Sequence, residues 1–61
     1  MAKKKILIIE DSVYISSMLK RCLEMNNYEV LIVEDGLEGL SKVETERPDL
    51  IILDIFNNHQ V

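Results

Sequence analysis

Residues Leu7–Ser12 read LIIEDS: an apolar run stops at two adjacent carboxylates and a hydroxyl. The run begins one residue earlier, at Ile6, and is rich in β-branched side chains. A continuous run of this kind predicts a strand buried on both faces, as in parallel sheets. The period then changes. Ile15, Met18, Leu19, Cys22 and Leu23 recur at spacings of three and four, the stripe of an amphipathic helix. Asp11 or Ser12 can cap the start of that helix. Asn26 and Asn27 can end it, because Asn tolerates left-handed backbone.

Beyond the helix, YEVLIVE (Tyr28–Glu34) predicts a second strand. DGLEGLSKVETER predicts a turn at Asp35–Gly36 and a short helix with Leu37, Leu40 and Val43 on its inner face. Gly39 inside that helix weakens it by about 1 kcal/mol relative to Ala. Pro48 stops it. DLIILDI (Asp49–Ile55) predicts a third strand, and FNNHQV has no clear period. Strand, helix, strand, helix, strand with apolar strands implies an α/β fold. Its sheet should be parallel, with right-handed crossovers. The connections are short, so residues 1–61 read as one unit.

Composition narrows the function. A chain of 61 residues is small for a domain: at this size only about 60% of the unfolded surface is buried. Such chains lean on disulfides, metals or self-association. The single cysteine, Cys22, excludes an internal disulfide and fits a reduced, cytoplasmic setting. It is expected as a small buried residue on the first helix. The net charge of −4 argues against a nucleic-acid surface. Lys3, Lys4 and Lys5 are expected to be solvated ahead of the first strand. The apolar runs are too short to span a membrane. The basic start lacks the longer apolar region of a signal peptide. Tyr14 and Tyr28 are expected to pack, and Met18 and Met25 to fill gaps on the helix. His59, alone in a polar tail, is expected to be solvated.

Chemistry is expected where the strands end. In open α/β sheets, ligands bind outside the carboxyl ends of the strands. Glu10 and Asp11 follow the first strand and Asp54 closes the third. If those strands are neighbours, three carboxylates meet at one edge. Like charges so placed repel, and a cation between them relieves the repulsion. Mg²⁺ fits, since it takes oxygen ligands from one or two carboxylates plus phosphate oxygens. Taken singly, each acid has a plainer reading: Asp11 as a helix cap, Glu10 as a charge near a helix start, Asp54 as a turn former.

KKKILIIEDS, YEV…EDGLEGL and RPDLIILDI, in this order and at this spacing, resemble the receiver domain of bacterial response regulators. The likeness covers residues 3 to 55. It implies a flavodoxin-like fold, of which these residues form the βαβαβ first half with parallel strand order 2-1-3. It implies that Asp54 accepts a phosphoryl group from a histidine kinase. It further implies that Asp11 and Asp54 ligate Mg²⁺, that Glu10 reaches the metal through water, and that the backbone carbonyl of Phe56 is a main-chain ligand.

The departures carry expectations of their own. Gly39 stands where the family more often has Ala. The loop IFNNHQV lacks the Pro and Gly usual after the phosphoacceptor. The family's later hydroxyl residue and lysine do not occur in these residues, so phosphotransfer is expected to be weak and Mg²⁺ binding weak or absent. The third strand becomes an apolar edge, and apolar edges template pairing with another chain. A homodimer or higher oligomer through that strand is therefore expected. The alternative is an assembly or interaction module with no phosphoacceptor activity.

Overall fold

The structure, a computed structural model, describes residues 2–54. The elements run β1 (Lys5–Ile9), α1 (Val13–Met25), β2 (Glu29–Val33), α2 (Gly36–Glu46) and β3 (Leu50–Leu53). The three strands form one parallel sheet in the order β2-β1-β3. The expected α/β alternation and strand order are both present. Part of the expected third strand, Ile55, lies outside the described residues.

β1 is central, and its sequence explains why. Ile6, Leu7, Ile8 and Ile9 are all buried. Alternate side chains point to opposite faces of a strand. Ile6 and Ile8 pack with Val30 on one face, under Leu19 and Leu23 of α1. Leu7 and Ile9 pack with Val33 on the other, against Val43 of α2. The core is two thin apolar layers separated by one sheet.

The outer strands are less covered than their apolar sequences suggest. β2 buries Val30 and Val33 and half-buries Leu31 and Ile32. β3 leaves Leu50, Ile51 and Leu53 exposed at 54%, 44% and 65%. The helices lie over β1 and β2 rather than over β3. Double burial therefore holds for β1 alone.

The helix faces also differ from expectation. The inner face of α1 is Ile15, Ser16, Leu19 and Leu23, while Met18, Cys22 and Met25 lie exposed. Ser16 is buried because its hydroxyl donates to the Val13 carbonyl at 3.3 Å. Cys22 is thus not a core residue, nor are Met18 and Met25 gap fillers. Tyr28 packs on the α1 layer, but Tyr14 is 90% exposed. On α2 the inner residues are Gly39 and Val43, and Leu37 and Leu40 face outward at 83% and 64% exposure. Leu37 and Leu40 fall off the sheet because α2 presses its glycine against β1.

The caps are local chemistry. Ser12, not Asp11, is the N-cap of α1, and its hydroxyl accepts from the Ile15 amide at 3.4 Å. Asp35 caps α2, accepting from the Glu38 amide at 2.9 Å. Asn27 (φ 71°) turns the chain out of α1, and Arg47 (φ 49°) turns it out of α2 ahead of Pro48. At the opposite edge of the sheet from the acids, Lys5 and Asp49 bond reciprocally. The Lys5 amide donates to the Asp49 carboxylate at 2.7 Å, and the Asp49 amide donates to the Lys5 carbonyl at 2.7 Å. The Lys5 ammonium also reaches the carboxylate of Glu46 (3.1 Å) and its backbone carbonyl (3.2 Å), tying the end of α2 to the start of β1.

Candidate functional site

The carboxyl ends of all three strands meet at one sheet edge. Ile9 lies opposite Val33 on β2 and Leu53 on β3. The next residues out are therefore level: Glu34 after β2, Glu10 after β1, Asp54 after β3. Two backbone bonds extend the sheet by this one step. The Glu10 amide donates to the Val33 carbonyl at 3.0 Å, and the Asp54 amide donates to the Ile9 carbonyl at 3.0 Å. Parallel pairing in this order thus brings Glu10, Asp11 and Asp54 to one corner, although 43 positions separate Asp11 from Asp54 in the chain.

Glu10 is the buried member, 2% exposed. One carboxylate oxygen, Oε2, accepts from the Ser12 amide at 2.8 Å. The other, Oε1, is buried with no partner among the described residues. Leaving a buried acceptor unpaired costs about 1–3 kcal/mol, more for a charged one. The opposing influences on its pKa can be separated. The Ser12 amide is the largest and favours the charged form. Burial, the neighbouring carboxyls of Asp11 and Asp54, and the charge of Asp54 together outweigh it and raise the pKa above its ordinary value. Such a raised pKa follows from carboxyls held together without a nearby cationic side chain to offset them among the described residues.

Asp11 and Asp54 are exposed at the rim of this corner. All the side-chain donors here are hard carboxylate oxygens, the set suited to Mg²⁺, and the orphaned Oε1 of Glu10 fits such a cation. No group of three or more metal-ligating side chains is drawn tightly together among the described residues. Those residues enclose no pocket either, and with Asp11 and Asp54 exposed the corner is, among the described residues, an open acidic shelf. Phe56 and His59 lie outside the described residues.

Three residues contribute to the corner beyond those expected there from the sequence. Val33 supplies the carbonyl that holds Glu10, which only the β1–β2 register could reveal. Glu34 adds an acid level with Glu10, a signal available from the strand-end rule that located the other acids. Gly39 lies directly beneath the corner, where an added Cβ would meet the Ile9 side chain.

Residues 6–56 match the family model for the response regulator receiver domain. The chain is 48% identical over 52 residues to the alkaline phosphatase synthesis transcriptional regulatory protein PhoP of Bacillus subtilis, covering 85% of this chain. It is 42% identical over 53 residues to the probable transcriptional regulator ycf27 of Cyanophora paradoxa, covering 87% of this chain. It is 35% identical over 51 residues to the response regulator MprA of Mycobacterium tuberculosis, covering 84%. In each case the match spans 22% of the relative's own length. No solved structure matches the chain.

Proposed function

The chain belongs to the response regulator receiver domain family, and from that membership we propose that its acidic corner is a phosphoacceptor site, with Asp54 taking a phosphoryl group from a histidine kinase. The observation that carries this is the unpartnered, buried Oε1 of Glu10 beside two further carboxyls. In this reading a carboxylate oxygen of Asp54 attacks phosphorus in line. The P–O bond to Asp54 forms as the P–N bond to the donor imidazole breaks, and the electron pair leaves on that nitrogen.

Asp11 and Asp54 would hold Mg²⁺, with Glu10 reaching it through water and the Phe56 carbonyl as a further ligand. Bound there, such a cation would supply positive charge to offset that gathering on the phosphoryl oxygens. The protein's own contribution is placement. The Asp54 amide is held by Ile9, Glu10 is held by Val33 and Ser12, and the open shelf leaves Asp54 accessible to a large donor. The transfer is a signalling modification with the protein as substrate. Among the described residues no helix is long and apolar enough to cross a membrane.

A second reading rests on β3. Its exposed Leu50, Ile51 and Leu53 favour an assembly module in which two copies pair through that strand, without phosphoacceptor activity. One experiment separates the readings. The chain is treated with an acyl phosphate, with and without Mg²⁺, and examined by intact mass. The phosphoacceptor reading expects a Mg²⁺-dependent phosphoryl adduct that Asp54→Asn lacks. No adduct at high donor concentration leaves the assembly reading.

A further inference from the structure

Gly39 occupies an unusual position. It is the buried residue of α2, and a Cβ built on it would lie 2.5 Å from Ile9 Cδ1, 3.0 Å from Ile9 Cγ1 and 3.6 Å from Val33 Cγ2. Its backbone angles require no glycine, since no glycine here has positive φ. The reason for glycine is therefore space. The space is filled by Ile9, the last residue of β1, and the same Ile9 accepts the Asp54 amide through its carbonyl. The following residue is Glu10, whose amide is held by Val33, the other neighbour of Gly39.

We propose that Gly39 is a positioning residue for the acidic corner. Its missing side chain admits the Ile9 δ-methyl, and the fit of that pair seats the end of β1 so that Ile9 and Val33 hold Asp54 and Glu10 in register. Ile9 is buried and shares its layer with Leu7, Val33, Leu31 and Val43, so a new methyl at Gly39 presses on a packed side chain. The methyl can be relieved by turning the Ile9 side chain, by moving α2 outward or by shifting the β1 terminus, and in our proposal the last of these takes part and reaches both acids. The link to cation binding rests on the phosphoacceptor reading; the positioning itself does not.

The test uses the full chain and three variants. Gly39→Ala adds the crowding methyl. Gly36→Ala adds a methyl to the same helix where nothing lies within 4 Å, and so controls for helix propensity. Gly39→Ala with Ile9→Val removes the atom that the new methyl meets at 2.5 Å. Amide hydrogen exchange is read residue by residue, alongside an NMR titration with Mg²⁺.

Gly39→Ala is expected to speed exchange at the Asp54 and Glu10 amides by about tenfold relative to the other sheet amides. Gly36→Ala is expected to leave them unchanged, and the double variant to restore them. Magnesium affinity is expected to fall about tenfold in Gly39→Ala and to recover with Ile9→Val, a typical size for loss of a supporting contact. A purely structural role would change exchange across the whole sheet and show no recovery specific to these two amides.

Unchanged exchange in Gly39→Ala, or no restoration in the double variant, overturns the inference. If Gly39→Ala alone does not fold, the double variant decides: wild-type protection supports the pairing and an unfolded chain refutes it. Absence of Mg²⁺ shifts in the wild type overturns the metal reading and leaves the exchange result to stand for or against the positioning.

Discussion

Glu10 shows how far a single residue can be read. Its type and place, the first acid after a buried strand, were legible in LIIEDS. Its energetic state was not, because that state depends on Ser12, Asp11 and Asp54 around it. The pH consequence has a definite sign. A carboxyl whose folded pKa lies above its ordinary 4.5 folds most favourably when protonated. The penalty is absent below 4.5, grows as pH rises through the raised value, and is complete above it. Glu10→Gln, which keeps an oxygen for the Ser12 amide, should therefore melt at a higher temperature than wild type at pH 7 in metal-free buffer. The gain should fade below pH 4.5. Added Mg²⁺ should raise the wild-type midpoint and leave that of Glu10→Gln nearly unmoved. Thermal melts across pH, with and without Mg²⁺, check all three. Cys22 marks the opposite case: apolar in type and at the right spacing, yet exposed, because α1 is rolled to bring Ser16 inward.

At the scale of elements, boundaries followed from local chemistry and faces did not. The two N-caps, the Asn pair after α1 and Pro48 after α2 are sequence-local signals, and the helices end where these stand. The caps differ in quality. Asp35 accepts at 2.9 Å and carries a charge that suits a helix N-terminus, whereas Ser12 accepts at 3.4 Å. Asp35→Ala should destabilise by about 1 kcal/mol and Ser12→Ala by about 0.5 kcal/mol, as denaturant midpoints would show. Ser12→Ala keeps the backbone amide that donates to Glu10 Oε2, so its loss reports the cap alone. The face of α2 was misread for a packing reason. Leucines at three-residue spacing suggested the inner stripe, but the closest approach to β1 takes place at Gly39, which carries no hydrophobic signal.

At the scale of the whole molecule, β3 sets the behaviour. It pairs with β1 on one side, and among the described residues its other edge and much of its apolar surface are open. Expected self-association through this strand is checked by light scattering: mass should rise with concentration, and Ile51→Lys, placing a charge on the edge strand, should hold the chain at monomer mass. A monomer at all concentrations would remove the assembly reading.

The order of elements, the parallel sheet and the identity of the acids are legible along the chain, because periodicity, caps and strand-end carboxylates are properties of neighbouring residues. Which faces are buried, the hold of Val33 and Ile9 on the corner, and the contact of Gly39 with Ile9 come instead from packing. Those facts arise from contacts across the β2-β1-β3 order. LIIEDS names the acids, but the burial of Glu10 and its place beside Asp54 exist only in the folded sheet.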